Sequence, residues 1–153
     1  MMHDIKFGTD GWRAVIADAF TVENVRRVAQ ATALYFKGLK RRDKRLIVAY
    51  DNRFLSEMFA ARTAEVLCGN GLPVLMAPRP TPTPAVSWGV RHFKTAGAVV
   101  ITSSHNPFDY NGFKIKSDFG GSALPETTAQ VEALLNRRAV KRMPLDEARR
   151  RKL

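Results

Sequence analysis

Cysteine and long hydrophobic runs are nearly absent from this sequence of 153 residues. Its one cysteine, Cys68, cannot form an internal disulfide, so nothing indicates an oxidising compartment, and its apolar helical surroundings predict a buried, reduced and unreactive thiol. No apolar run approaches the roughly 18 residues that span a bilayer. The opening residues, MMHDIKFGTDGW, also lack a basic segment followed by an apolar one. These absences predict a cytoplasmic protein with no membrane partner.

The common signatures of nucleotide, hydrolase and metal sites are missing as well. Neither GxGxxG nor GxxxxGK followed by Ser or Thr occurs. Ser104 does not lie in a GxSxG turn, because Thr102 and Asn106 occupy the two glycine positions. Ser104 and His105 do not form a dyad either, since adjacent side chains of an extended chain point to opposite sides. Without a DxDxD or HExxH spacing, we expect no self-contained metal site.

Positive charge, in contrast, is abundant, with a formal net charge of +11. Residues 137–153 hold eight Lys or Arg against two acids, so this tail carries more than half of the excess. No aromatic residue is interleaved there to stack on bases, which disfavours nucleic acid as a partner. A solvated helix face or a linker is the better interpretation of the tail. The basic segment 37–45 is interpreted as a solvated turn.

Apolar runs that alternate with amphipathic patterns suggest one globular domain with a buried core. Continuous or alternating apolar runs predict strands at 46–50, 73–77, 97–102 and 112–116. Apolar periodicity predicts four helices, of which three are capped by Thr21, Ser56 and Thr83 and the last opens at Pro125. This order of elements predicts an α/β fold, a three-layer α/β/α sandwich with a mixed, mostly parallel sheet.

Polar loops follow three of the predicted strands. Their sequences are DNR at 51–53, PRPTPTP at 78–84 and TSSHNP at 102–107. Because ligands gather at the carboxyl ends of parallel strands, we expect the three loops to meet at one rim. Asp51 and Arg53 are interpreted as a pair that braces the loop beside the site, and the proline-rich segment as a rigid turn.

The loop at 102–107 has the groups that phosphate chemistry needs. A phosphorylated serine carries about −1.5 to −2 charges and three strong acceptor oxygens, so it requires cations and donors nearby. Around Ser104 the chain offers His105, Asn106 and Lys114, and Arg13 is in a position to reach in from GTDGWR.

Each of these residues also has a structural interpretation. Ser104 could simply form a hydrogen bond at the end of a strand, and His105 could support the loop. Lys114 lies between two apolar residues and could point into solvent. Arg13 could pair with Asp10 or Asp51 to brace the fold.

Four motifs, taken together, resemble the amino-terminal domain of the α-D-phosphohexomutases, the phosphoglucomutase and phosphomannomutase group. In chain order they are FGTDGWR at 7–13, YDNRFLS at 50–56, TSSHNP at 102–107 and DYNGFKI at 109–115. The likeness extends from residue 5 to about residue 138. The loop of that family commonly reads TASHNP or TGSHNP, so Ser103 replaces a small residue while Ser104 keeps the phosphoserine position.

The resemblance implies a reversible shift of a phosphoryl group between positions 1 and 6 of a hexose phosphate, through a phosphoserine and a hexose 1,6-bisphosphate. It implies that Ser104 carries the phosphoryl group and, through a phosphate oxygen, is a ligand of Mg²⁺. Lys114 and His105 would assist proton transfer. Arg13 would hold the loop or the phosphate, and Asn106 would orient the serine.

Members of that family are four-domain chains, whose second domain supplies the remaining metal ligands in a DGDxDR motif and whose third and fourth domains bind the sugar and the distal phosphate. We therefore expect domain I at 1–138 and a basic tail, or the start of a linker to an absent second domain, at 139–153. Such a chain should be inactive without domains II–IV, and the surfaces meant to face them should favour self-association. The alternative is a non-catalytic module that binds a phosphosugar or another polyanion at the same rim.

Overall fold

A computed structural model describes residues 5–153, which contain one five-stranded sheet with helices on both of its faces. The strands are β1 (Gly11–Val15), β2 (Leu46–Tyr50), β3 (Val74–Met76), β4 (Gly97–Ile101) and β5 (Tyr110–Lys116). The helices are α1 (Val22–Gly38), α2 (Ser56–Gly69), α3 (Thr83–His92), α4 (Pro125–Ala133) and α5 (Leu145–Arg150).

The strands lie in the order β1-β5-β4-β2-β3. Strand β2 pairs in parallel with β3 and β4, whereas β5 is antiparallel to both β4 and β1. Four strands therefore run in one direction and only β5 runs against them. The predicted α/β/α sandwich with a mixed, mostly parallel sheet is confirmed.

The starts of two helices differ from the sequence prediction. Thr21 caps α1 as predicted, and its Oγ1 accepts a hydrogen bond of 3.2 Å from the N–H of Asn24. Ser56 and Thr83, however, are the first residues of α2 and α3, and neither cap position makes a side-chain hydrogen bond. At α2 the Ser56 hydroxyl does not cap the helix because it donates a hydrogen bond of 2.8 Å to the Asp51 carboxylate instead.

The main core lies between the sheet and the layer formed by α1, α2 and α4. Phe20 stacks on Trp12 at 4.7 Å between ring centroids and meets the edge of Phe59 at 4.8 Å. Phe113 and Ile115 of β5 are fully buried on this side. Because successive side chains of a strand point to opposite faces, the lysine between them faces the other side of the sheet.

On that other side, α3 packs over β2 and β4 and forms a smaller core. The buried residues of this core are Ile47, Ala49, Val86, Val90, Ala98 and Val100. The same face of β1 and β5 carries Arg13 and Lys114, so the sheet changes from apolar to cationic toward its β1 edge.

The C-terminal residues fold back on the domain. Helix α5 packs against α2 and buries Ala148, while its basic residues are exposed. The N–H of Met143 donates to the carbonyl of Glu65 at 2.9 Å, and the N–H of Lys141 donates to the Gln30 side chain at 2.9 Å. The tail is thus attached to α1 and α2, and the division of the chain at residue 138 stays a prediction.

Cys68 is buried within α2, as predicted. Burial in apolar surroundings raises the pKa of its thiol to about 11, which keeps the sulfur protonated and unreactive near neutral pH. None of the helices within residues 5–153 has the length and apolar character that crossing a membrane requires.

Candidate functional site

The carboxyl ends of β2 and β4 lie side by side at the centre of the sheet. The N–H of Asp51, just after β2, donates to the carbonyl of Ile101 at the end of β4 at 3.1 Å. On the other side of β2, the N–H of Thr81 donates to the carbonyl of Tyr50 at 2.8 Å. The three polar loops therefore lie at one rim, at the place where open α/β sheets bind ligands.

Three consecutive residues of the loop after β4 carry hydroxyl groups, and only the last is exposed. Thr102 and Ser103 are buried, whereas Ser104 is open to solvent. Ser104 has a φ of +55°, in the left-handed region that serine seldom adopts. Its N–H donates to Oγ1 of Thr102 at 3.1 Å, and the N–H of Asn106 closes the turn on the carbonyl of Ser103 at 3.1 Å. The backbone thus presents Ser104 at the tip of a tight turn.

Two cations on the cationic face of the sheet share one carboxylate, and one of them contacts the loop. Arg13 donates to Oδ1 of Asn106 at 3.3 Å and lies 3.6 Å from the Asp10 carboxylate. Lys114 lies 3.0 Å from the same carboxylate, and its side chain is only 14% exposed. Lys114 is therefore ion-paired rather than solvated, and Arg13 pairs with Asp10 rather than with Asp51.

Gly112 allows this arrangement. It pairs with Arg13 across β1 and β5, and a Cβ atom built on it would lie 2.5 Å from the carbonyl oxygen of Thr102 and 3.0 Å from Cγ of Arg13. A side chain at this position would force apart the serine loop and the arginine that approaches it.

Arg53 holds the loop through its backbone carbonyls. Its guanidinium donates to the backbone carbonyls of Ser104 at 2.9 Å, Asn106 at 2.6 Å, Pro107 at 2.6 Å and Tyr110 at 3.0 Å. Its Nε lies 3.5 Å from the Asp51 carboxylate, which also accepts a hydrogen bond from the backbone N–H of Arg53 at 2.9 Å. This is the bracing pair that the sequence predicts.

Two further residues of the network were missed by the sequence interpretation. Asn111 is fully buried, and its Nδ2 donates to the Ser56 hydroxyl at 2.9 Å and to the Phe54 carbonyl at 3.3 Å. The Ser56 hydroxyl in turn donates a hydrogen bond to the Asp51 carboxylate. Ser56 ends the motif YDNRFLS and Asn111 lies in the motif DYNGFKI, but the two residues are 55 positions apart, and only the fold brings them together.

His105 is exposed, and no hydrogen bond or ion pair of its side chain occurs among the described residues. The predicted roles of His105, Asn106, Lys114 and Arg13 in catalysis stay predictions. What the structure establishes is that Arg13, Asn106 and Lys114 share one network through Asp10.

The described residues do not assemble a metal centre by themselves. Within residues 5–153, no three His, Cys, Asp or Glu side chains are grouped so that they could hold a metal ion. The Ser104 hydroxyl is a weak donor for a hard cation, and a phosphoryl oxygen attached to it would be a better one.

The fold and the exposed serine define an α/β/α domain with a hydroxyl beside the carboxyl ends of the central strands β2 and β4. The family model described as phosphoglucomutase/phosphomannomutase, α/β/α domain I, matches residues 4–142. The chain therefore belongs to the phosphoglucomutase/phosphomannomutase family, as the four motifs suggested.

Several relatives show the same relationship. A Staphylococcus saprophyticus protein named phosphoglucomutase is 36% identical over 86% of this chain and 24% of its own length. A Pyrococcus abyssi protein named a probable phosphoglucosamine mutase is 31% identical over 92% of this chain and 30% of its own. A crystal structure from Thermus thermophilus that carries the name phosphomannomutase superimposes with a TM-score of 0.86 at 39% identity, over 94% of this chain and 33% of the other. The chain thus spans about a quarter to a third of the proteins it matches.

Proposed function

We propose that this chain is the phosphoserine-bearing domain of a phosphohexomutase, an isomerase that moves a phosphoryl group between the 1 and 6 positions of a hexose phosphate. The observation that carries the proposal is the presentation of Ser104, which is the exposed hydroxyl in a run of three and lies in a turn held by Arg53 and contacted by Arg13 through Asn106. Membership of the family and the names of the relatives support it.

The reaction needs a hydroxyl that alternates between free and esterified forms. A hexose 1,6-bisphosphate gives one phosphoryl group to Oγ of Ser104. The Oγ–P bond forms, the sugar O–P bond breaks, and the serine proton passes to the released sugar oxygen, with Lys114 or His105 as the relay. In the full cycle, phosphorylated Ser104 gives its phosphoryl group to the free hydroxyl of a hexose monophosphate, and the 1,6-bisphosphate that results turns over in the site. The phosphoryl group at its other position then returns to Oγ of Ser104, which leaves the isomeric monophosphate as product.

Catalysis in such a transfer comes mainly from positioning and charge neutralisation. Arg13 and Lys114 would offset the charge of the phosphoryl group, and Asn106 would orient the loop toward it. Their shared partner, Asp10, keeps both cations at the site while no anion is bound.

A bound Mg²⁺ would neutralise charge on the phosphoryl group. One oxygen of the phosphoryl group carried by Ser104 would be a ligand of the ion. Residues 5–153 lack a carboxylate cluster to complete such a site, so we propose that the remaining ligands come from domain II of a complete enzyme. Domains III and IV would supply sugar selection and the site for the distal phosphate. The chain by itself should accordingly show no sustained mutase turnover.

Intact mass spectrometry tests the carrier role. After incubation with hexose 1,6-bisphosphate and Mg²⁺, the wild-type chain should gain the mass of one phosphate, and so should the matched variant Ser103→Ala. Ser104→Ala should gain none. A phosphosugar-binding module without catalysis would instead take no phosphate, retain its affinity in Ser104→Ala, and lose binding steeply with added salt.

A further inference from the structure

Arg53 makes a set of contacts that a brace alone does not need. Its two terminal nitrogens are shared among four carbonyls, all within the ten residues that follow β4. The guanidinium offers five N–H donors in a rigid plane, and Nε faces Asp51, so all three of its nitrogens have partners. A lysine ammonium has only three donors and cannot reproduce this pattern.

We propose that Arg53 is a positioning residue that sets the conformation of Ser104 and directs the N–H of His105 toward the phosphoryl group. The proposal rests on the phosphoserine role proposed above. It assigns to Arg53 a part in phosphoryl transfer through the backbone, without contact to the sugar.

The backbone of Ser104 is strained. A residue with a Cβ atom is disfavoured at a φ of +55° and stays there only when its surroundings impose the conformation. Here the N–H of Ser104 is held by Thr102 and its carbonyl by Arg53 at 2.9 Å. The residue is thus fixed on both of its peptide groups.

The planarity of the peptide between Ser104 and His105 fixes the direction of the His105 N–H. In a trans peptide the C=O and the next N–H point in opposite directions, and no cis bond occurs in the described part of the chain. Because the Ser104 carbonyl points to Arg53, the N–H of His105 points away from it. That N–H has no hydrogen-bond partner among residues 5–153 and is open for an anion. The Pro107 carbonyl also points to Arg53, so the N–H of Phe108 points away from it. That N–H likewise has no hydrogen-bond partner among the described residues.

The positive charge of Arg53 also acts on the peptide groups of the loop. The Arg53 side chain is 15% exposed, and the Asp51 carboxylate lies 3.5 Å from its Nε, whereas its two terminal nitrogens bind the carbonyls. A cation beneath four aligned carbonyls stabilises their negative ends and polarises the peptide groups, which makes the outward N–H groups better donors. Backbone N–H groups without a hydrogen-bond partner, placed beside a nucleophile, are a recurrent way to bind a phosphoryl group.

The test compares Arg53→Met and Arg53→Lys with Arg79→Met, which removes one exposed cation from the same rim. Amide hydrogen exchange is measured by NMR for Ser104, Asn106 and Tyr110, whose N–H groups donate hydrogen bonds within the loop. The rate at which Ser104 takes phosphate from hexose 1,6-bisphosphate is measured as well. Both Arg53 variants should exchange faster in the loop while the amides of β4 stay protected. They should also take phosphate about 100-fold more slowly, whereas Arg79→Met should behave as wild type.

Chemical rescue separates positioning from folding. Adding N-ethylguanidinium to Arg53→Ala should restore part of the phosphorylation rate, and adding ethylammonium should not. Loop exchange and phosphorylation that are unchanged in Arg53→Met would overturn the proposal. If the wild-type chain takes no phosphate, the phosphoserine role fails, and the exchange measurement still decides whether Arg53 holds the loop.

Discussion

The ammonium group of Lys114 lies 3.0 Å from the carboxylate of Asp10. The same carboxylate lies 3.6 Å from Arg13, so it competes with any anion that the two cations would bind. We predict that Asp10→Asn binds inorganic phosphate about fivefold more tightly, which corresponds to roughly 1 kcal/mol, since the pairs are only partly exposed. Isothermal titration calorimetry measures the change.

Asp109→Asn, which removes an exposed charge from the neighbouring loop, should leave the affinity near that of wild type. Equal effects of the two variants would show that only net charge matters.

Ser103 carries a hydroxyl that is fully buried and has no hydrogen-bond partner among the described residues. Ser103→Ala turns the hydroxymethyl side chain into a methyl group and so removes the desolvation cost of the unsatisfied hydroxyl, which should raise the free energy of unfolding by about 1 kcal/mol. Urea denaturation measures this. Thr102→Val is the matched control, because the Thr102 hydroxyl does accept a hydrogen bond, from the N–H of Ser104. It should lower the free energy of unfolding. A loss of stability in Ser103→Ala would mean that its hydroxyl has a partner in solution.

Lys116 is only 7% exposed, and it lies two residues from Lys114 on the same face of β5. Burial, and then the charge of Lys114, lower the pKa of Lys116 from its usual 10.5, while Asp10 acts in the opposite direction. The folded state therefore releases this proton more readily than the unfolded state, and stability should rise with pH up to about 10.5.

Lys116→Met removes that dependence. The variant should be more stable than wild type at neutral pH, and its advantage should shrink as the pH approaches about 10.5. Thermal unfolding over this range measures the difference. Lys40→Met, at an exposed position, should show no such trend. An advantage that grows with pH would mean that the charged form of Lys116 is stabilised in the folded chain.

Large apolar side chains remain exposed on the described surface. Phe108 is 90% exposed, Phe54 is 69% exposed and Trp88 is 62% exposed. Exposed aromatic residues of this size favour association, so we predict a concentration-dependent dimer or higher oligomer. Light scattering measures the mass, and Phe108→Ser or Trp88→Ser should shift the equilibrium toward the monomer. A strict monomer at high concentration would contradict the prediction.

The parts of the fold that could be predicted are those determined by local pattern. Strands β2 and β4 are continuous apolar runs that are buried on both faces, which only the middle of a layered sheet provides. The position of Lys114 between Phe113 and Ile115 separated it from the apolar face of β5, but did not decide between a solvated lysine and the ion pair with Asp10. The meeting of the polar loops followed from parallel pairing alone.

The parts that could not be predicted depend on distant partners. Strand β1 has the sequence GWRAV, which is short and weakly patterned, and its pairing with β5 defines it as a strand. Helix α5 is mostly charged and buries only Ala148, so it lacks an apolar stripe. The sequence suggests that Arg53 braces the loop, but not that it contacts four carbonyls more than 50 positions away.

The most direct test of the phosphoserine role is to locate the phosphate within the loop. After incubation with hexose 1,6-bisphosphate, tandem mass spectrometry of the peptide that spans Thr102, Ser103 and Ser104 distinguishes the three hydroxyls. We predict one phosphate, entirely on Ser104, because the other two hydroxyls are buried. A folded chain that takes no phosphate, or that carries it on Thr102 or Ser103, would contradict the account.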